Sequence, residues 1–302
     1  MKDEKRIYTV FGVTGNIGKP LAKLLLEKKY IVRAVGRDPK KLSELKKMGA
    51  EIYSAGWNHV KEMTEIMEGS TGIMTIFPPS YTADNYDKVQ EELGAMYVEA
   101  IQKSKVKYVV NISSIGADLE KNAGVLNTLH RNEERLNKIP NVNLVQLRPP
   151  FFMQNLYWVM HEIEANGTFT WPLKADVPYS YVSTDDIGGK VFDLLEKLKF
   201  KNKSNIELFA PQQWTHNQVA EVIGKALGRE VRYVKCSYEE ALNGMVGSGF
   251  MKESAARGVI GLYRAYNENL IKYHQKPTKE WTCETTLKDF VSRLFRKKNN
   301  VA

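Results

Sequence analysis

The chain has 302 residues, 43% of them apolar and 26% charged, which supplies a buried core and excludes disordered, collagen-like and coiled-coil classes. Its 44 basic and 35 acidic residues leave a net charge of +9. The lysines are dispersed along amphipathic segments, and the two dense runs, 197–203 and 293–298, carry no nucleic-acid motif, so nucleic acid is not expected as a primary ligand. No apolar run approaches the roughly 20 residues of a membrane span, and the charged N-terminus is not followed by the apolar stretch of a secretory signal. Two cysteines, Cys236 and Cys283, fit neither a disulfide framework nor a metal spacing. These features predict a cytoplasmic protein with no metal and no membrane contact.

In chain order, residues 7–11 form a short β-branched apolar run that ends in glycines, the pattern of a buried parallel strand. Residues 17–29 then place Ile17, Leu21, Leu24 and Leu25 at helical spacing. Further strands are predicted at 30–35, 51–54, 72–77, 108–112 and 143–147, with helices at 40–48, 60–68, 85–103 and 128–138. Strands alternating with helices imply right-handed βαβ units and a doubly wound α/β sheet. After Pro149-Pro150 the rhythm changes. A helix is expected over 151–165, then an Asn166-Gly167 turn and a loop around Pro172. The hydroxyl and carboxylate groups of Ser183 to Asp186 predict a capped helix at about 186–199. Residues 206–209 read as a last sheet strand, and the chain is mostly helical beyond Trp214, with Thr215 as an N-cap.

Gly12-Val13-Thr14-Gly15-Asn16-Ile17-Gly18 sits between the first strand and the first helix. Glycines there permit a tight turn, close approach of backbone to a pyrophosphate, and tight helix–strand packing, while the helix N-terminus offers unsatisfied N–H groups. The second strand ends in Arg37 rather than a carboxylate, and Lys40 and Lys41 follow. A guanidinium can grip a ribose 2′-phosphate through parallel hydrogen bonds, so NADP(H) is expected in preference to NAD(H), with Arg37 and Lys41 as its partners. Asp38 reads as a helix cap before Pro39. The implied architecture is a Rossmann domain over residues 1–152 and 180–210. A smaller, mostly helical substrate lobe comprises 153–179 and 211–302.

The GxTGxxG loop, Val35-Gly36-Arg37 and the stretch Leu147-Arg148-Pro149-Pro150-Phe151-Phe152-Met153-Gln154-Asn155 resemble the NmrA-like atypical short-chain dehydrogenase/reductases. That group holds triphenylmethane and quinone reductases, isoflavone and benzylic ether reductases, and non-catalytic redox sensors. The resemblance implies an NADPH-dependent oxidoreductase passing hydride to a hydrophobic quinone, enone or cationic dye. The alternative it carries is an NADP(H)-sensing regulatory protein with a protein partner. The wider superfamily's Tyr-x-x-x-Lys pair is replaced by Leu126 and His130, so no phenolic acid is expected there. His130 is expected to hydrogen-bond ribose hydroxyls or donate a proton, with Glu134 one helical turn on to orient the ring. Ser114 matches the superfamily serine, although Ser113 and Ser114 can equally satisfy a turn. Phe77, Pro78 and Pro79 are expected beside the cofactor, together with Pro149 and Phe151. Phe152 and Asn155 are expected toward the substrate, and the tail aromatics Tyr263, Tyr266, Tyr273 and Trp281 either line the pocket or pack. Relatives often carry Gly-Asp against adenine where this chain has Ala55-Gly56-Trp57.

Overall fold

Strand β1 (Ile7–Phe11) is buried at every position but its first in the computed structural model, as an apolar run must be when helices cover both faces of a parallel sheet. The structure describes residues 6–54 and 59–299, so Ala55-Gly56-Trp57 lies outside the described residues. Helix α1 (Gly18–Glu27) turns Leu21, Ala22 and Leu25 inward, and β2 (Ile31–Val35) follows. The helix expected over 40–48 divides in two. Asp38 Oδ1 accepts the Lys40 N–H at 3.0 Å and Pro39 fixes the first position, which starts a 3-10 turn (Pro39–Leu42) before α2 (Ser43–Lys47). Then come β3 (Glu51–Tyr53), α3 (Val60–Met67), β4 (Gly72–Ile76), α4 (Tyr86–Ser104), β5 (Tyr108–Ile112), α5 (Val125–Asn137) and β6 (Asn143–Arg148).

The next segment departs from the sequence reading. Instead of one helix over 151–165, the chain makes β7 (Phe151–Phe152), a 3-10 stretch (Met153–Val159) and α6 (Met160–Asn166). Phe151 and Phe152 pair with Tyr181 and Val182 of a strand far along the chain, and no local periodicity reveals such a partner. After β8 (Thr168–Trp171), β9 (Tyr179–Val182) and α7 (Thr184–Lys197), the last sheet strand is β10 (Lys203–Glu207), displaced from the expected 206–209. It is an edge strand, so polar Lys203, Ser204 and Asn205 serve in it, while apolar Leu208 and Phe209 lie past its end. Then follow β11 (Gln213–Trp214), α8 (His216–Leu227), β12 (Arg232–Lys235), α9 (Tyr238–Gly247), α10 (Glu253–Asn267) and α11 (Leu287–Asn299). Ser183 and Thr215 cap α7 and α8 as their hydroxyls predict.

Seven strands form one parallel sheet in the order β10-β6-β5-β4-β1-β2-β3. The order reverses at β1, so the crevice at the carboxyl ends of β1 and β4 is where a ligand of such a sheet binds. Buried side chains tie the strands laterally. Thr75 Oγ1 donates to Asn111 Oδ1 at 2.9 Å, and Asn111 Nδ2 donates to Gln146 Oε1 at 2.7 Å. Apolar cores fill both faces of the sheet. A third core gathers Phe151, Phe169, Trp171, Tyr179 and Tyr181 with residues of α8, α10 and α11. Helix α10 reaches the sheet domain through glycine. A Cβ on Gly261 would lie 2.7 Å from the Gly124 Cα, so only hydrogen fits at this crossing. No described helix is long and apolar enough to cross a membrane.

Candidate cofactor and substrate site

The glycine loop is held by backbone sterics. Gly12 has φ +71°, and a Cβ there would stand 2.7 Å from Ile76 Cγ2. At Gly18 a Cβ would come within 2.6 Å of the Gly12 carbonyl oxygen, which lets α1 start directly against β1. Between them Thr14, Gly15 and Asn16 are exposed. No side chain caps α1, and its first turn contains no acidic residue. The Lys19 N–H donates to Gly15 O at 3.3 Å and Pro20 carries no N–H, so the Gly18 N–H and the positive dipole end are what the helix leaves for an external anion. The end of β2 lies alongside, since a Cβ on Gly36 would touch Thr14 Cγ2 at 3.2 Å. Arg37 and Lys41 follow, both exposed and, among the described residues, in no ion pair. Asp38 is committed to the Lys40 N–H. Lys19 and Lys23 are committed too, at 2.6 and 2.5 Å from Glu44, whose carboxyl they hold down to about 2. The residues present thus fit a dinucleotide carrying an additional ribose phosphate.

Asn16 also borders a chamber of about 370 Å³ at the carboxyl edge of the sheet. Its walls bring together Pro79, Ser114, Pro150, Phe151, Phe152 and Asn155. The Ser113 N–H donates to Leu147 O at 2.8 Å and the Ile115 N–H to Pro149 O at 3.1 Å, which staples the ends of β5 and β6 under the chamber. Ser114 Oγ donates to Ile115 O at 3.0 Å. Ser113 is buried, and among the described residues its hydroxyl has no hydrogen-bond partner. Phe77 does not form a chamber wall: its ring packs edge-on against Tyr97 at 5.3 Å inside the sheet core. The Pro78 carbonyl accepts from Gln90.

Several chamber residues were not anticipated from the sequence. Tyr81 and Tyr86 come from the segment after β4, Gln154 from the 3-10 stretch, and Trp158 from its exposed end. Their place just past strand ends was the available signal. Burial pushes the Tyr81 phenol up to about 12 and raises those of Tyr86, Tyr263 and Tyr266 further, so all four are neutral donors near neutrality. Tyr263 and Tyr266 line the chamber, whereas Tyr273 stacks on Phe209 at 4.7 Å and Trp281 packs on the sheet core. A neighbouring hollow of about 610 Å³ shares Trp158, Trp171 and Tyr263 with it.

His130 stands outside the chamber lining. Its Nδ1 lies 2.9 Å from Ala117 O. A carbonyl only accepts, so Nδ1 is the donor in this contact and Nε2 is the ring nitrogen left for another partner. Glu134 is exposed and does not orient the ring; the Ala117 carbonyl does. The helix turns Glu133 inward instead. Its carboxylate takes two hydrogen bonds from Arg148, at 3.0 Å from Nε and 2.5 Å from Nη2. Both partners are buried. Leu126 fills the position of the absent tyrosine and is buried.

The description "NmrA-like family" fits residues 3–294 of the chain. An NAD(P)H azoreductase of Xenophilus azovorans is 28% identical over 254 residues, which cover 84% of this chain and 85% of that protein. The Citrobacter triphenylmethane reductase complexed with NADP(H) superposes with a TM-score of 0.77 at 20% identity, covering 95% of this chain and 99% of that one. The NADPH-dependent quinone oxidoreductase of Escherichia coli gives 0.74 at 20% identity, covering 96% and 99%. At these identities the two structures are alike in fold.

Proposed function

The chain belongs to the NmrA-like family, and from that premise we propose that it is an NADPH-dependent reductase acting on hydrophobic, electron-poor acceptors such as quinones, enones, and azo or cationic dyes. The observation that carries this reading is the position of Asn16, which belongs both to the open glycine loop and to the wall of the chamber. A dinucleotide with its pyrophosphate on the α1 N-terminus would therefore direct its nicotinamide end into an aromatic-lined space. Arg37 and Lys41 select the 2′-phosphate. When bound, the cofactor supplies hydride chemistry.

The chain's own residues orient the acceptor, exclude water and donate hydrogen bonds. Phe152, Trp158 and the buried tyrosines form faces on which a flat conjugated acceptor stacks. Ser114 can turn its hydroxyl from the Ile115 carbonyl toward an acceptor oxygen, and Asn155 offers an amide beside it. With Nδ1 on the Ala117 carbonyl, His130 has Nε2 left to meet a ribose hydroxyl. The half-buried Tyr81 phenol, held neutral by its raised pKa, can donate a hydrogen bond to a reduced oxygen. Quinones and dye cations need little help from a protein acid, which is consistent with Leu126 and His130 replacing the usual pair.

That replacement also motivates the second reading, an NADP(H) sensor with no turnover. One experiment separates the two. Titration with NADPH, followed by its fluorescence, should saturate, and quinone, enone, azo and triarylmethane acceptors should then consume it. Saturation without consumption by any of these acceptors favours the sensor, and absence of saturation rejects both readings.

A further inference from the structure

The last helix and the glycine loop line one cavity. It has a volume of about 620 Å³, and its walls include Thr14, Gly15, Asn16, Thr184, Asp185 and Arg293. Three features make it a site for an oxyanion rather than a passive gap. First, α1 opens onto it uncapped and without an acidic residue in its first turn. Second, Thr184 is only 2% exposed, and among the described residues its hydroxyl has no hydrogen-bond partner, although its N–H donates to Gln154 Oε1 at 3.0 Å. A buried hydroxyl left unsatisfied beside a cavity calls for a partner from the cavity. Third, among the described residues Arg293 makes one hydrogen bond, from Nε to Asp289 O at 3.4 Å, and no ion pair. Its terminal nitrogens remain available. Lys19 borders the cavity as well but is held by Glu44.

We infer that Arg293 and Thr184 are positioning residues for the cofactor pyrophosphate, forming a second jaw opposite the Gly18 N–H at the start of α1. This rests on the dinucleotide reading above. It adds that the C-terminal helix takes part in cofactor binding. Phe290 and Val291 anchor α11 in the aromatic core of the smaller lobe, so the pyrophosphate would bridge that lobe to the sheet domain. Asp185 faces the same space. Its carboxylate opposes a phosphate, and Arg293 offsets that repulsion.

The test is calorimetry on the full chain with three ligands: NADPH, ADP-ribose, which retains the pyrophosphate, and 2′-AMP, which lacks it. R293Q should weaken NADPH and ADP-ribose by about fivefold, and T184V by about twofold, while 2′-AMP is unchanged. R293K should retain most of the affinity, and D185N should tighten the two diphosphates. Because Arg293 is exposed, its replacement leaves the fold intact. Equal affinities for wild type and R293Q, or an equal loss on 2′-AMP, would overturn the inference while the dinucleotide reading stands. A wild-type chain that binds none of the three would remove both.

Discussion

From Gly12 to Gly18 the molecule is shaped by backbone: each constraint is a contact between main-chain atoms or between a missing Cβ and its neighbours. The chamber that begins at Asn16 is shaped by side chains drawn from after β4, after β5, the 3-10 stretch and α10. The first region lies within seven consecutive residues and, on the proposed function, would bind what every member of a cofactor class shares. The second is assembled from distant segments and would set what is reduced. The contrast teaches how cofactor and acceptor recognition could be separated in such a chain. Substitutions in the loop should therefore affect any nucleotide, whereas those in the chamber wall should act on the acceptor, and lobe residues away from the cavity beside the loop on stability.

The hardest blow to the first region is Gly18→Ala. Its methyl would press on the Gly12 carbonyl, so binding of NADPH and NADH should disappear together, with a stability loss of about 2 kcal/mol. Fluorescence titration and urea unfolding would check this, and retained affinity would mean that the loop tolerates what its geometry forbids. The end of β6, from which the chain runs into the chamber, is tested by Glu133→Gln. Among the described residues this leaves the buried Arg148 guanidinium with Asp118, at 3.8 Å, as its ion-pair carboxylate. Unfolding should become easier by about 3 kcal/mol, with acceptor preference unchanged.

The lobe should show an acid weakness that the loop lacks. His216 is buried among Tyr179, Trp171 and Tyr233, and burial lowers its pKa from 6.5 to about 4. Between those values the unfolded chain binds the proton and the folded one does not. Stability is therefore fully present above pH 6.5 and falls as pH drops toward 4, by on the order of 3 kcal/mol. His216→Phe should flatten that slope in chemical denaturation, and an unchanged slope would place the acid sensitivity elsewhere. The smallest effect falls beside the loop, just past the end of β2. Arg37→Asp should cost NADPH more than about tenfold in affinity and NADH less than about twofold; equal losses would deny Arg37 its role in selecting the 2′-phosphate.

Legibility in the sequence follows the same division. The buried strands β1, β2, β4, β5 and β6 announce themselves because two-sided burial demands continuous apolar runs, and the glycine spacing reports a local steric need. The edge strand β10 hid because solvent on one side admits Lys203 and Asn205. Phe151 and Phe152 read as helix because their β9 partner is remote. Glu133 was passed over for Glu134 since helical spacing alone does not say which face meets Arg148. Ser114, Phe152 and Asn155 were visible through resemblance, whereas Tyr81 and Tyr86 were not, because a tyrosine in a loop looks the same whether it packs or lines a cavity.

The most direct measurement is a crystal structure with NADPH bound. The expected result has the pyrophosphate on the α1 N-terminus, the 2′-phosphate at Arg37, and the nicotinamide facing Ser114 and Asn155 across the chamber. A nicotinamide turned away from that chamber, or a nucleotide lodged anywhere other than the glycine loop, would contradict it.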